Sequence, residues 1–305
     1  MRYPLRNILG IGLITATICG VLLLAYAYFV EPFRLVVNEQ ELAIEGWDKE
    51  FDGFRILLIS DVHGGSHGVD EARIHQIVET ANAQSADMIV LLGDFVSQPI
   101  SNRPMRERPP LMPMDKIADA LAGLRAPNGV FAVLGNHDGW YSDAAVTSEL
   151  KRVGIHVLDG EVANIERGGR LFRLLGLKDH MHAQDWKKFS NEAKNLLAAT
   201  EGTGNVVVLE HSPDILPIIT GDLLISKDLK LILAGHTHGG QVRLPIIGSP
   251  IVPSSYGQKY VAGHIKDADV DMFVTTGIGT SVLPFRFFVP PEIVVITIRA
   301  RSGVQ

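Results

Sequence analysis

The chain has 305 residues and a net charge of −6, so it lacks the basic surplus that a nucleic-acid binder uses to meet phosphates. Charged residues make up 20% and aromatics 7%, the make-up of an ordinary globular protein long enough for one large domain or two small ones. Cys19 is the only cysteine, which excludes an intrachain disulfide and a thiolate metal cluster; bulky Ile18 before it excludes a lipoprotein acylation site.

From Asn7 to Val30, 24 residues carry no charge (NILGIGLITATICGVLLLAYAYFV). As a helix the stretch reaches about 36 Å, enough for a hydrocarbon core of roughly 30 Å. The alternative is a cleaved secretory signal ending at Ala25-Tyr26-Ala27, but the run exceeds the usual span of about 7–15 residues and continues past that box. The expectation is a single-pass anchor at 1–34 with a short cytoplasmic tip, followed by one domain at 35–305. Arg2 and Arg6 lie before the span and Glu31, Glu39, Glu41 and Glu45 after it, with Arg34 and Lys49 diluting the contrast. The positive-inside rule then puts the domain outside the cytoplasm, at the cell membrane.

Beyond the anchor, short apolar runs recur at 56–59, 88–92, 130–134, 206–209 and 231–234. Their near-continuous apolar character suits strands buried on both faces. Between the first two, Ile74, Ile77 and Val78 fall at helical spacing within Val69 to Gln84, predicting a strand–helix–strand unit. A second helix is expected over Ala144 to Val153, and a hairpin over 161–177 turning at Gly168-Gly169. The shorter, more alternating runs at 260–265, 271–276 and 293–298 predict a second sheet. Ser97 to Met114, rich in proline and arginine, reads as a lid or a disordered loop.

Each of the five apolar runs ends in polar residues: Ser60-Asp61-Val62-His63, Gly93-Asp94, Gly135-Asn136-His137-Asp138, Glu210-His211 and Gly235-His236-Thr237-His238. Singly, each is a common kind of turn. Five at five strand ends point instead to one site, because α/β sheets bind ligands beyond the carboxyl ends of their strands. Alternation along an extended chain would make pincers of Asp61 with His63 and of His236 with His238, and the glycines would let the backbone turn sharply. Of the other histidines, His67, His75, His156 and His264 are expected to be ordinary surface residues. His180 and His182 sit where a loop after the hairpin could bring them to the site.

In order, SDVHGG, LLGDF, LGNHDGW, EHSPD and AGHTHGGQ resemble the five-block signature of the calcineurin-like metallophosphoesterases, over roughly residues 54–300. The anchor, GHTHGGQVRLP and TTGIGTSVLPFRFFVPPEI are similar to the membrane-associated branch, which includes UDP-diacylglucosamine pyrophosphatase-like enzymes. The resemblance implies an α/β fold, a two-sheet β-sandwich flanked by helices. It implies two divalent ions: the first on Asp61, His63 and His238, the second on Asn136, His211 and His236, with Asp94 bridging. His137 would lie outside these ligands, facing the substrate phosphate, with Asp138 orienting its ring.

Two such ions neutralise a phosphate ester and supply a bound hydroxide to cleave a monoester, diester or pyrophosphate bond. Imidazole and carboxylate ligands suit Mn, Fe, Zn or Co. Arg243 and Arg286 are candidate contacts to a phosphate or headgroup, with a surface or lid salt bridge the alternative. The apolar loops 244–253 and 283–291 could lean on a membrane or an acyl chain, and the substrate expected is a lipid-linked phosphate. A role in lipid A synthesis would need the domain to face the cytoplasm, against the charge pattern. The other readings are a non-catalytic metal-binding envelope protein and a nuclease or nucleotide phosphodiesterase on the same metals.

Overall fold

A computed structural model describes residues 5–183, 185–267 and 269–301, with side chains from residue 9 onward except that of His182. In chain order the elements are α1 (Leu5–Phe29), β1 (Val36–Glu45), β2 (Arg55–Ile59), α2 (Glu71–Ala83), β3 (Met88–Leu92), α3 (Met114–Leu121), β4 (Val130–Val133), α4 (Asn136–Tyr141), α5 (Asp143–Arg152) and β5 (His156–Val157). There follow β6 (Glu161–Arg167), β7 (Arg170–Gly176), α6 (Trp186–Ala199), β8 (Val206–Leu209), α7 (Leu216–Thr220), β9 (Leu229–Ala234), β10 (Gly263–Asp267), β11 (Val270–Val274) and β12 (Glu292–Arg301).

The strands form two six-stranded sheets, β1-β12-β2-β3-β4-β5 and β10-β11-β9-β8-β7-β6. In the first, β2 to β5 run parallel and β12 lies antiparallel to β2. In the second, β7, β8, β9 and β11 run parallel, with antiparallel β6 and β10 at the edges. The sheets pack face to face: Ile56, Leu58, Val90 and Leu92 meet Leu174, Val207, Leu209 and Leu231 in one buried layer, with Phe51, Phe54 and Phe172 at one end. The alternate residues Leu57, Ile59, Ile89 and Leu91 face outward onto Ile74 and Ile77 of α2 and Ile117 of α3. Val206, Val208 and Ile232 likewise face Ala193 and Leu197 of α6 and Leu216 of α7. Both faces of these strands are therefore dry, which is why their sequences carry almost no polar residue.

The strand–helix–strand unit, the 161–177 hairpin and the two-sheet sandwich form as the sequence predicts. Two placements differ. The run 293–298 belongs to β12, inserted between β1 and β2 of the first sheet, and not to the second. Its partner β1, a polar-alternating edge strand, was not anticipated. The stretch from Ser97 to Met114 is an ordered loop closed by Leu111 N donating to Ser97 O (2.8 Å), and Gln98 and Arg108 bond carbonyls within it. α1 is one apolar helix of 25 residues, and its candidate span from Leu9 has no buried residue in its most apolar stretch.

Candidate metal centre

The carboxyl ends of β2, β3 and β4 in one sheet and of β8 and β9 in the other meet at one edge of the sandwich. Backbone bonds sew the ends together: Asp61 N to Gly93 O (3.0 Å), His63 N to Asp94 O (2.9 Å) and Gly235 N to His211 O (2.8 Å). Asp61, His63 and His238 bring ligand atoms within 4.8 Å of one another, and so do Asp94, His211 and His236. His63, Asp94 and His137 form a third such group between them. Asp94 Oδ2 lies 3.5 Å from His63 Nε2 and 3.3 Å from His211 Nε2, so one carboxylate stands between the two clusters.

The backbone that presents these groups is not extended. Asp61, His63, Asp94, His236 and His238 have φ of 53°, 46°, 57°, 69° and 51°, the left-handed region that residues other than glycine rarely enter. The pincers expected from strand alternation are in fact tight left-handed turns after the strands have ended. Such residues cost of order 1–3 kcal/mol each and persist where the surroundings over-determine them. The glycines also differ in role. Gly93 turns the chain at φ 89°, but Gly135 and Gly235 provide room. A Cβ at Gly135 would collide with the Asp94 carboxylate and lie 2.8 Å from His211 Nδ1; at Gly235 it would lie 2.6 Å from Asp61 Oδ2.

The hydrogen bonds fix which ring atoms are free. His211 Nδ1 lies 2.7 Å from Leu92 O and His63 Nδ1 3.3 Å from Val96 O; a carbonyl only accepts, so each Nδ1 carries a proton and each Nε2 is the ring atom turned inward. His63 Nε2 then faces His238 Nε2 at 3.2 Å and the Asp94 carboxylate at 3.5 Å. Asp61 Oδ1 and Asn136 Oδ1 are buried in the same place with no hydrogen-bond partner. Two carboxylates, one amide oxygen and four imidazoles gathered in this dry place, with His238 Nε2 also 3.3 Å from Asp61 Oδ1, make a donor set that fits divalent metal ions. Burial holds His63 at about 3 and His236 at about 4, and drives His238 well down with Arg286 adding to the effect. These rings stay neutral, as ligands must. Burial opposes ionisation of Asp94, but His211 and His137 beside it outweigh burial and keep the carboxyl well below its usual range; Asp94 in turn holds His211 well above the usual imidazole range, so a metal on His211 Nε2 would displace a proton.

Three candidates sit elsewhere than expected. Asp138 does not orient the His137 ring: its carboxylate is fully buried and accepts the amides of Asp94 (2.9 Å), Phe95 (2.9 Å), Val96 (3.2 Å) and Gly135 (3.0 Å). Burial and the Asp94 charge push its carboxyl up to about 7, against the pull of the Gly135 and Val96 amides. It pins the turn bearing Asp94 to the start of α4, which carries Asn136 and His137. Arg286 is no substrate contact either. It is fully buried and donates to the carbonyls of Gly279 (2.6 Å), Thr276 (2.9 Å) and Val289 (3.2 Å), with Nη2 3.4 Å from His238 Nδ1. Arg243 is exposed on a pocket lined by Leu244, Ile246, Ile247 and Phe288.

His137 is half-buried; its amide donates to Asp94 Oδ1 (2.8 Å), its ring meets His63 edge-on at 4.7 Å, and its buried Nδ1 has no partner. His180 stands behind the site, its Nδ1 2.9 Å from Glu210 Oε1, and the side chain of His182 lies outside the described residues. The loop 275–281 stands in the sequence only as part of the stretch similar to the membrane-associated branch, yet it buttresses the site: Gly279 N donates to Asp61 O (2.7 Å) and Gly277 and Gly279 pack on Asp61 and His63. Paired glycines after an apolar strand were the available signal.

The sequence profile of the calcineurin-like phosphoesterase family matches residues 54–240. An uncharacterised metallophosphoesterase of Bacillus subtilis, YkuE, is 29% identical over 280 residues, covering 91% of this chain and 90% of its own. The phosphodiesterase YaeI of Escherichia coli is 28% identical, covering 89% and 91%. A zebrafish transmembrane protein with a metallophosphoesterase domain is 25% identical, covering 86% of this chain and 57% of its own. With five strand ends, their buried acceptor cluster and a matching profile over most of the sandwich, the chain belongs to the calcineurin-like phosphoesterase family, metal-dependent hydrolases of phosphate esters.

Proposed function

We propose that the protein is a membrane-anchored phosphoesterase whose site holds two divalent ions. Asp61, His63 and His238 would hold one, Asn136, His211 and His236 the other, and Asp94 both. The observation that carries this reading is the convergence of Asp61, His63, Asp94, His211, His236 and His238 in one buried place, where Asp61 Oδ1 and Asn136 Oδ1 have no hydrogen-bond partner. When bound, such ions neutralise the phosphate and lower the pKa of water toward neutrality.

The chain's own residues do the rest. The amide of His137 on Asp94 Oδ1 fixes that ring beside the shared carboxylate, and its free Nδ1 can give a proton to the departing oxygen. Trp140, with its ring 4.6 Å from that of His137, limits how far the imidazole swings. The scissile bond is that of a phosphate monoester, diester or pyrophosphate.

Anchoring through residues 7–30 is supported by the apolar α1 and by the zebrafish relative's description as a transmembrane protein. The charge pattern favours an extracytoplasmic domain; a lipid A role would require the opposite face, and a C-terminal topology reporter tests which holds. Turnover of a chromogenic phosphate diester tests the chemistry. Asp94→Asn should fall to background while circular dichroism stays unchanged, and His137→Ala should lose roughly 10²–10⁴-fold with its metals retained. Unchanged turnover in Asp94→Asn overturns the assignment.

A further inference from the structure

α1 does not leave the domain as a free tether. Arg286 N donates to Ala27 O (3.1 Å), and the rings of Tyr26 and Phe287 meet edge to face at 6.5 Å. Tyr28 stacks on His67 at 4.0 Å, and the His67 Nε2 lies 2.9 Å from Tyr28 O. The end of the helix is thus pinned to two loops, around His67 and around Arg286, that both lead directly into the metal centre. His67 is four residues after His63, and Arg286 backs His238. His67 is therefore not an ordinary surface histidine.

A third loop is sewn to the second: Phe287 N donates to Gln241 O (2.8 Å), Arg243 N to Phe287 O (2.9 Å), and the Gln241 amide to Leu283 O (3.1 Å). The outer side of this platform is apolar. Ile246 is 106% exposed, Val282 80%, Ile251 73%, Ile247 63% and Phe288 54%, far more than scattered single residues would explain. Ile246, Val282 and Phe288 also have φ of 71°, 63° and 54°. Branched and aromatic residues strain there, and a turn facing only water would be built more cheaply with glycine. Beside them, exposed Arg243 and the apolar residues line a pocket of about 440 Å³. An apolar face with a cation at its edge matches the boundary between acyl chains and anionic headgroups.

We propose that this platform, Arg243 to Ile251 with Val282 to Phe288, sits in the interfacial layer of the bilayer that α1 spans, holding the metal centre at the membrane surface. The proposal rests on the anchoring argued above, and its occupant is a lipid surface.

The test uses the full chain in phosphatidylcholine–phosphatidylglycerol vesicles, with an environment-sensitive nitrobenzoxadiazole label. The wild-type Cys19 reports the span. In a Cys19→Ala background, Ile246→Cys and Phe288→Cys report the platform, and Glu166→Cys reports the hairpin at the opposite end of the sandwich. Doxyl lipids should quench the label at 246 and 288 at least twofold more than at 166, and aqueous iodide should do the reverse. If Cys19 is quenched by doxyl lipid but 246 and 288 are as open to iodide as 166, the proposal is overturned. Shielding of 246 from both quenchers, with cross-linking between chains, would assign the face to a second copy and overturn it equally. No quenching at Cys19 removes the anchoring and the proposal together. None of these readings involves turnover, so the phosphoesterase assignment stands or falls separately.

Discussion

Asp138 and His137 are neighbours in the chain with opposite jobs. Asp138 takes four buried amides on its two oxygens, so Asp138→Ala orphans all four and should cost about 3 kcal/mol or more in chemical denaturation. His137 bonds the site only through its backbone amide, so His137→Ala should leave that midpoint nearly unchanged. Equal midpoints for the two variants would contradict this division. The ligand residues were legible because Asp, His and Asn at strand ends have little reason to be there without a site. Their left-handed backbone was not, since no single residue type announces it once glycine is absent. Arg286 misled for a related reason. A charge in an apolar loop reads as a contact to an anion, and nothing local reveals that backbone carbonyls will enclose it.

Among the elements, the turns after the strands are the functional units, and the strands only aim them. Gly135→Ala adds one methyl against the Asp94 carboxylate and His211, and should reduce bound metal severalfold by elemental analysis while the sandwich, measured by circular dichroism, persists. Arg286→Ala removes the donor that gathers the carbonyls of Thr276, Gly279 and Val289 behind His238. It should destabilise the protein by about 3 kcal/mol and weaken the ion held by that histidine. The buried strands were legible because dryness on both faces leaves no polar residue to confuse the pattern. β12 was placed in the wrong sheet because its alternation fits either one, and only its non-local pairing with β1 and β2 decides. β1 carries no strand expectation in the sequence, because its apolar residues are interleaved with Asn38, Glu39 and Glu41.

At the scale of the molecule, two sheets converge on a cluster that is poorly satisfied without cations, so metal should be part of the fold's stability. Ions bound at about a thousand times their Kd contribute about 4 kcal/mol. Chelation of the detergent-solubilised chain should therefore lower Tm by about 10 °C, restored by adding metal back. An unshifted Tm would mean that the strained ligand turns are held by the protein alone.

On the reading proposed above, these seven residues hold two ions that the reaction needs. Metal content per chain, measured by elemental analysis alongside hydrolysis of a chromogenic phosphate diester, tests it most directly. The wild type should carry two divalent ions and lose turnover on chelation, and Asp94→Asn should carry fewer than two and be inactive. Full turnover in chelated, metal-free protein would contradict the account.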